Sequence, residues 1–381
     1  MNGRIEWTGA NMPMVGEIAE RFARERPFAD RTIGVSIHLE PKTAVLLRAL
    51  HAGGATVVAT GNLGTTQADV VEALNAEGIE AFGDASDDRH THASNVARVM
   101  ETGPDILLDN GADLCALAGG LDIVGGTEET TSGANRLRGE LAGRVAFPVI
   151  VINDSPLKAI VENKHGVGQS VAESFLRITN LMPQGKRVVV VGYGWCGRGI
   201  AHYFRSLGSE VSVVERDEIK ALEAAVDGFA VGSLDDLAPK GSVFITATGA
   251  RHVLTTDHVA AMPDGAVLAN AGHFDDEIDV EGLRTVAGVT ELDHGIERFA
   301  LHEGPSVFLL TGGRMVNLGG RAPKGNSIET MDLGFTLQAL SLERVALASE
   351  TLDVGPQPVP DDIDRVAAAA MTSRLMAARR R

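Results

Sequence analysis

The stretch VVVVGYGWCGRGIA, residues 188–201, decides how the chain is read. Four valines make a short apolar run of the kind buried on both faces of a parallel sheet. Gly192, Gly194 and Gly197 follow in the pattern G-x-G-x-x-G, ahead of a helical stretch. In such a turn the first glycine allows the sharp bend and the second lets backbone approach a pyrophosphate. The third lets helix and strand pack closely, while the helix N-terminus offers its N–H groups to phosphate. The next apolar run, EVSVVE, ends at Glu215. A carboxylate at that spacing accepts from both ribose hydroxyls and repels a 2′-phosphate, so the pattern predicts NAD rather than NADP. Arg216 beside it pulls weakly the other way.

Working outward, the same alternation of strand and helix patterns runs in both directions. Before the motif, TIGVSIHL, KTAVLLRALHAGG, ATVVATG, TQADVVEALNAEG and IEAFGD read as βαβαβ. PDILLDNGADL and FPVIVIND add short buried strands that end in acidic or amide residues. A long helical segment, GQSVAESFLRITNLM, leads into the motif. After it come a helix through RGIAHYFRSLG, EVSVVE, a helix around DEIKALEAAVDG, then GSVFITATG, GAVLANAGHF and SVFLLTGG. ETMDLGFTLQALSLERVALA returns as helix, and DVGPQPVPDD breaks before a last Ala-rich helix. The prediction is an α/β chain of two doubly wound, Rossmann-like domains, with ligand-binding residues at the carboxyl ends of the strands.

Composition narrows the class. The chain has 381 residues, enough for two domains, with 44% apolar and 22% charged residues, close to the globular norm. A net charge of −17 opposes nucleic-acid binding, which needs a basic face. The terminal AARRR reads as a frayed helix end. No apolar stretch is long enough to span a membrane, and the start lacks the apolar core of a signal peptide. Cys115 and Cys196, the only cysteines, suggest reduced thiols in a cytoplasm.

Further stretches carry a resemblance. GGTEETTSGANRL, VINDSPLKAIVENKHGVGQS, NAGHFDDEID, and MVNLGG followed by IETMDLGFTLQAL resemble the S-adenosylhomocysteine hydrolases. SIHLEPKTAVLL is similar to their archaeal-type branch, and the likeness runs from there to ALAS. It implies an NAD domain, 165–326, inserted into a substrate domain formed by 1–164 and 327–352, with a short helical tail at 353–381. It also implies tightly bound NAD⁺ and a small-molecule nucleoside substrate. In that chemistry the 3′-hydroxyl is oxidised, the acidified 4′ proton is removed, the thiol leaves, water adds, and the ketone is reduced. The thioether at the 5′ carbon leaves readily only once a 3′ ketone acidifies the 4′ hydrogen, so the site needs a hydride acceptor, bases and an acid.

The resemblance also implies roles for residues. Lys158 matches the lysine that takes the 3′-hydroxyl proton, which a lysine can do when burial lowers its pKa. Glu129 matches the carboxylate on the ribose hydroxyls. Thr130, Thr131, Ser132 and Asn163 match groups near the nicotinamide, and Asn317 an asparagine near the cofactor. His38 matches the acid and base at the 5′ position, and His273 a hinge histidine near the ribose and leaving group. Glu40 is grouped with the substrate-binding residues, and Thr248, ending GSVFITATG, with the cofactor-binding ones.

Departures from the family pattern open an alternative. Asn110 stands where the family has the aspartate that removes the 4′ proton, so Asp109, or water held by Asn110 and His273, is expected to replace it. Glu162 replaces an aspartate, Val167 a cysteine, and Asn326 a histidine of the adenosine pocket. At Lys42 the better-known branch carries a group that reads adenine; a lysine only donates, which suits the 6-oxygen of hypoxanthine. The chain ends without the family's tail, which reaches a neighbouring subunit, yet a homo-oligomer, dimer or tetramer, is expected. These changes keep open an NAD-dependent nucleoside 3′-oxidoreductase, epimerase or lyase that leaves the thioether uncleaved. In DASDDRHTHASN, His90 and His92 would share a face only in a strand, and the stretch reads as a loop entering a helix; no metal is expected.

Overall fold

The computed structural model describes residues 2–320 and 322–378. The terminal AARRR runs past this limit: residues 379–381 lie outside the described residues. The chain divides into two compact units, Met1–Ala159 with Ile328–Arg381, and Ile160–Ser327.

The first unit opens with helices Gly3–Ala10 and Pro13–Glu25, for which the alternation noted in the sequence gave no sign. Six strands follow: β1 (Thr32–Ser36), β2 (Thr56–Thr60), β3 (Glu80–Phe82), β4 (Ile106–Asp109), β5 (Gly125–Glu128) and β6 (Pro148–Val151). Their order in the sheet is β3-β2-β1-β4-β5-β6, and all neighbours are parallel. Strand order therefore reverses between β1 and β4, and a crevice opens at the carboxyl ends of that pair. Apolar residues from β2, β4 and β6 (Val58, Leu107 and Val149) pack with Val99 and Leu137 of the covering helices.

The chain leaves this unit through a π-helical segment, Lys158–Gly166, that continues into the α-helix Val167–Thr179. The second unit contributes β7 (Arg187–Val191), β8 (Glu210–Val214), β9 (Ala230–Val231), β10 (Val243–Thr246) and β11 (Val267–Asn270). It is completed by β12 (Ala287–Asp293), β13 (Ile296–Leu301) and β14 (Ser306–Leu310). The order β9-β8-β7-β10-β11-β14 is again doubly wound and parallel; β13 and β12 extend it antiparallel. The valine run is central: Val188 and Val190 enter one core with Phe204, Val189 and Val191 the other with Phe244. Burial on both faces explains why it reads as continuous apolar sequence rather than as an alternation.

The return helix, Ile328–Ala348, belongs to the first unit. Its Asp332, buried, accepts from the backbone N–H groups of Met14 (3.0 Å) and Val15 (2.9 Å). Those are first-turn donors of helix Pro13–Glu25, whose own N-cap residue gives no side-chain bond. The stretch DVGPQPVPDD, read as a break before the last helix, holds a short strand, β15 (Gly355–Pro358), parallel to β6. Proline lacks the ladder N–H, so Pro356 and Pro358 read as a break, but an edge strand tolerates them. Helix Asp361–Ala378 follows.

Candidate active site

In the first unit the chemistry gathers where β1, β2, β4 and β5 end. β1 runs out at Ser36, and half-buried His38 follows. Its Nδ1 lies 2.8 Å from Thr65 Oγ1. Thr65 spends its single hydroxyl proton on the Asn62 carbonyl at 2.9 Å, so its oxygen accepts from His38. That assigns the imidazole proton to Nδ1 and the lone pair to Nε2. Glu40 and Lys42 open the next helix, Pro41–Ala52, and both are buried, with Lys42 Nζ 2.8 Å from Glu40 Oε2. Burial pushes the Glu40 carboxyl up, and the Lys42 charge opposes that rise.

Asp109 and Glu128 end β4 and β5 as register partners, and neither is exposed to solvent. Asp109 accepts from the backbone N–H groups of Asn110 (3.0 Å), Asp113 (3.2 Å) and Cys115 (2.9 Å). Glu128 accepts from Gly111 (3.1 Å), Ala112 (2.9 Å) and Thr130 (2.7 Å), and from the Thr130 hydroxyl (2.7 Å). Burial raises both carboxyls, Asp109 to about 6 and Glu128, which also feels the Asp109 charge, to about 8. The Asp109 oxygens face the N–H groups of their own turn, so Asp109 shapes the loop that presents Asn110. Glu128 carries the other half of that loop, a part not expected of it from its place beside Glu129.

Glu129 turns the other way and is also buried. Its Oε1 is ion-paired with the ammonium of buried Lys158, and its Oε2 accepts from Gln338 Nε2 at 2.5 Å. Gln338, on the return helix, was missed because it lies 209 positions away. Thr130 caps helix Thr131–Arg138, accepting from the Gly133 N–H at 2.9 Å, and its Oγ1 lies 3.0 Å from Ser132 Oγ. Thr131 is exposed and donates to Asn153 Oδ1 at 2.9 Å.

The second unit forms the dinucleotide turn. Gly192 has φ +100°, and a Cβ there would sit 2.7 Å from the Ala247 carbonyl. A Cβ on Gly197 would lie 2.0 Å from the Gly192 carbonyl, whereas one on Gly194 would meet nothing within 4 Å. The open side of Gly194 lies at the N-terminus of helix Trp195–Ser206, the space a pyrophosphate takes. Glu215 opens the loop after β8 and is held by the N–H groups of Tyr193 (2.7 Å), Arg216 (2.8 Å) and Asp217 (3.0 Å). Thr248 is fixed to buried Glu277 through its N–H (3.0 Å) and hydroxyl (2.8 Å). His273 follows β11, its loop pinned by Asn270 Nδ2 to the Gly272 (3.2 Å) and Phe274 (2.7 Å) carbonyls. Buried Ser170 joins two predicted residues, accepting from Asn317 Nδ2 at 3.1 Å and donating to Asn326 Oδ1 at 3.0 Å. Asn317 Oδ1 is buried with no hydrogen-bond partner among the described residues, which leaves an acceptor for a ligand donor. Glu162 is buried and Asn163 half-buried, both on the π-helical segment.

Among the described residues no group of three His, Cys, Asp or Glu is arranged to hold a metal. His90 and His92 lie on helix Arg89–Glu101, where residues two apart do not share a face. No described helix is long and apolar enough to cross a membrane.

Two doubly wound sheets, one with a dinucleotide turn and one with a buried Lys–Glu pair and a histidine at its strand ends, define an NAD-dependent enzyme of the α/β class. The chain belongs to the S-adenosylhomocysteine hydrolase family. Residues 2–122 match S-adenosyl-L-homocysteine hydrolase, and residues 163–322 match its NAD binding domain. It is 44% identical over 371 residues to an S-inosyl-L-homocysteine hydrolase of Methanopyrus kandleri, covering 95% of this chain and 87% of that one. It is 42% identical over 381 residues to an adenosylhomocysteinase of Archaeoglobus fulgidus, covering 96% and 92%. A solved structure of dipicolinate synthase from Bacillus halodurans shares the fold alone, with a TM-score of 0.50 and 15% identity over 84% of this chain and 99% of that one.

Proposed function

We propose that the protein cleaves the thioether of a purine nucleoside and homocysteine reversibly, giving nucleoside and free homocysteine. The observation that carries this reading is the buried Lys158–Glu129–Gln338 group in the unit that lacks the dinucleotide turn. A fixed, water-excluded carboxylate beside an ammonium suits a vicinal diol: Glu129 accepts from the hydroxyls, and Lys158 takes the 3′ proton as the carbon is oxidised. When bound, NAD⁺ accepts the hydride that leaves the 3′ carbon and returns it at the end of the cycle. Gly192, Gly194, Gly197, Glu215, Thr248 and Asn317 hold it in Ile160–Ser327, and the rest of the chain takes the nucleoside. Thr130, Thr131, Ser132 and Asn163 serve the nicotinamide, Glu162 and His273 the proton transfers, and Asn110 and Asn326 the nucleoside.

The Glu40–Lys42 pair sets the base preference. Together they offer one acceptor and one donor side by side in a buried place. Hypoxanthine presents the complement, an acceptor at O6 for Lys42 and a donor at N1–H for Glu40. Adenine matches only with the two roles exchanged, so the inosyl thioether is the better substrate. The second reading, sugar oxidation without thioether cleavage, has Asn110 on its side; kinship along nearly the whole chain with two hydrolases favours cleavage.

The protein acts as a homo-oligomer in a reducing cytoplasm, in keeping with two free cysteines, and sedimentation velocity reads its assembly. The functional test incubates NAD-loaded protein with S-inosyl- and S-adenosylhomocysteine and titrates free thiol. Thiol release from both, faster from the inosyl compound, is expected. An altered sugar with no thiol would move the protein to the second reading.

A further inference from the structure

By the family resemblance Asn110 stands in place of the base for the 4′ carbon, and its neighbours fix what its amide can do. Asn62 Nδ2 donates to Asn110 Oδ1 at 2.7 Å, and both residues are buried. A side-chain amide has one oxygen and one NH₂ group. With its oxygen committed to Asn62, Asn110 meets any other partner through Nδ2–H, as a donor. Asn62 also governs His38. Its carbonyl takes the Thr65 proton at 2.9 Å, Thr65 Oγ1 then accepts from His38 Nδ1 at 2.8 Å, and the basic lone pair is left on Nε2. The Asn62 side chain thus makes a donor of Asn110, while its backbone carbonyl, through the Thr65 hydroxyl, fixes the tautomer of His38. Asn62 Oδ1 is itself buried with no partner among the described residues, at a side chain only 8% exposed, so an acceptor waits there for a ligand hydroxyl.

We propose that in this chain His38 alone removes the 4′ proton and delivers it to the departing sulfur, with Thr65 as the residue that positions it. This rests on the reaction given under Proposed function, which supplies the 3′ ketone. The C4′–H bond breaks, its proton goes to His38 Nε2, and its electron pair enters the ketone as an enolate. The enolate collapses to a C4′=C5′ double bond as the C5′–S bond breaks with its pair on sulfur. His38 gives its proton to the thiolate and is neutral again. In the second half His38 takes a proton from water as its oxygen bonds C5′, and returns it to C4′. Every proton is carried by one group, and Asn110 only donates.

The test separates oxidation, exchange and elimination in the NAD-loaded protein. Inosine in heavy water reports 3′-oxidation through absorbance of reduced cofactor, and 4′ exchange through deuterium in the recovered nucleoside. S-Inosylhomocysteine reports thiol release. In His38→Asn, cofactor reduction is expected to persist while exchange and thiol release fall together, by about 100- to 10,000-fold. Cofactor reduction also certifies the fold, and His38→Gln serves if His38→Asn fails that check. In His38→Asn with Asn110→Asp, exchange is expected to return, because the carboxylate supplies a base for the 4′ proton in place of the imidazole. Thr65→Val, close in size without the hydroxyl that holds His38 Nδ1, is expected to slow exchange and spare cofactor reduction. Undiminished exchange in His38→Asn, beside a wild type that releases thiol, overturns this inference alone. A wild type that neither reduces cofactor nor releases thiol overturns the underlying reading as well.

Discussion

Replacing Lys158 by methionine keeps the length of the side chain and deletes its charge. Lys158 is 3% exposed and Glu129 4%, so the substitution strands a carboxylate that water cannot reach. Breaking a buried pair in this way costs about 3–5 kcal/mol. A ceiling follows from protonation. A glutamate in water titrates near 4.3, so neutralising it at pH 7 costs about 4 kcal/mol, and the protein takes that route if the strain exceeds it. Lys158→Met should therefore lose about 3–4 kcal/mol at pH 7. The loss should shrink by about 1.4 kcal/mol for each pH unit lowered, since Glu129 is then neutralised more cheaply. Lys158→Met with Glu129→Gln should recover most of it, because no charge remains buried. Urea unfolding followed by circular dichroism at pH 5 and pH 7 measures all three variants. A loss below about 1 kcal/mol at pH 7, or a double variant no better than the single, would refute the argument that the pair is shut away from solvent.

The Asp109–Glu128 pair predicts a pH dependence of its own. Both carboxyls titrate higher in the folded chain than unfolded, so the folded protein holds more protons between the ordinary carboxylate range and about pH 8. Their contribution should fall as pH rises through that window, by up to about 1.4 kcal/mol per unit for each proton released, and Glu128→Gln should flatten the fall. In the second unit, Gly197→Ala drives a methyl into the Gly192 carbonyl and should destabilise by about 1–3 kcal/mol, whereas Gly194→Ala meets open space and should fold normally. Gly194→Ala should nonetheless bind NAD at least about tenfold more weakly, a difference of about 1.4 kcal/mol, read by quenching of the half-exposed Trp195 beside it. Lys42→Gln should narrow the ratio of kcat/KM between the inosyl and adenosyl thioethers, and an unchanged ratio would place Lys42 outside base recognition.

The sequence was most readable where structure is local. The valine run, the three glycines and Glu215 act within one βαβ unit, so spacing alone located them. What it could not show came from register and from distance. Glu128 meets Asp109 because β4 and β5 pair in one register, Gln338 reaches Glu129 from the return helix, and Asn62 meets Asn110 across β1. Each is an ordinary polar residue until the sheet brings its partner. The three N–H groups that hold Asp109 were hidden for the same reason, since they belong to a turn whose shape no pattern announced. β12 and β13 escaped notice because each buries a single residue, Ala287 and Phe299, and so shows no apolar alternation, and β15 because prolines mask an edge strand.

The central claim is that cleavage proceeds through a 3′ ketone and loss of the 4′ proton. The most direct test is to run S-inosylhomocysteine with NAD-loaded protein in heavy water and weigh the inosine released by mass spectrometry. The account predicts deuterium bonded to C4′ in the product, and no thiol release from protein stripped of NAD. Inosine released with only hydrogen at C4′, or thiol set free without NAD, would mean direct displacement at the 5′ carbon and would contradict it.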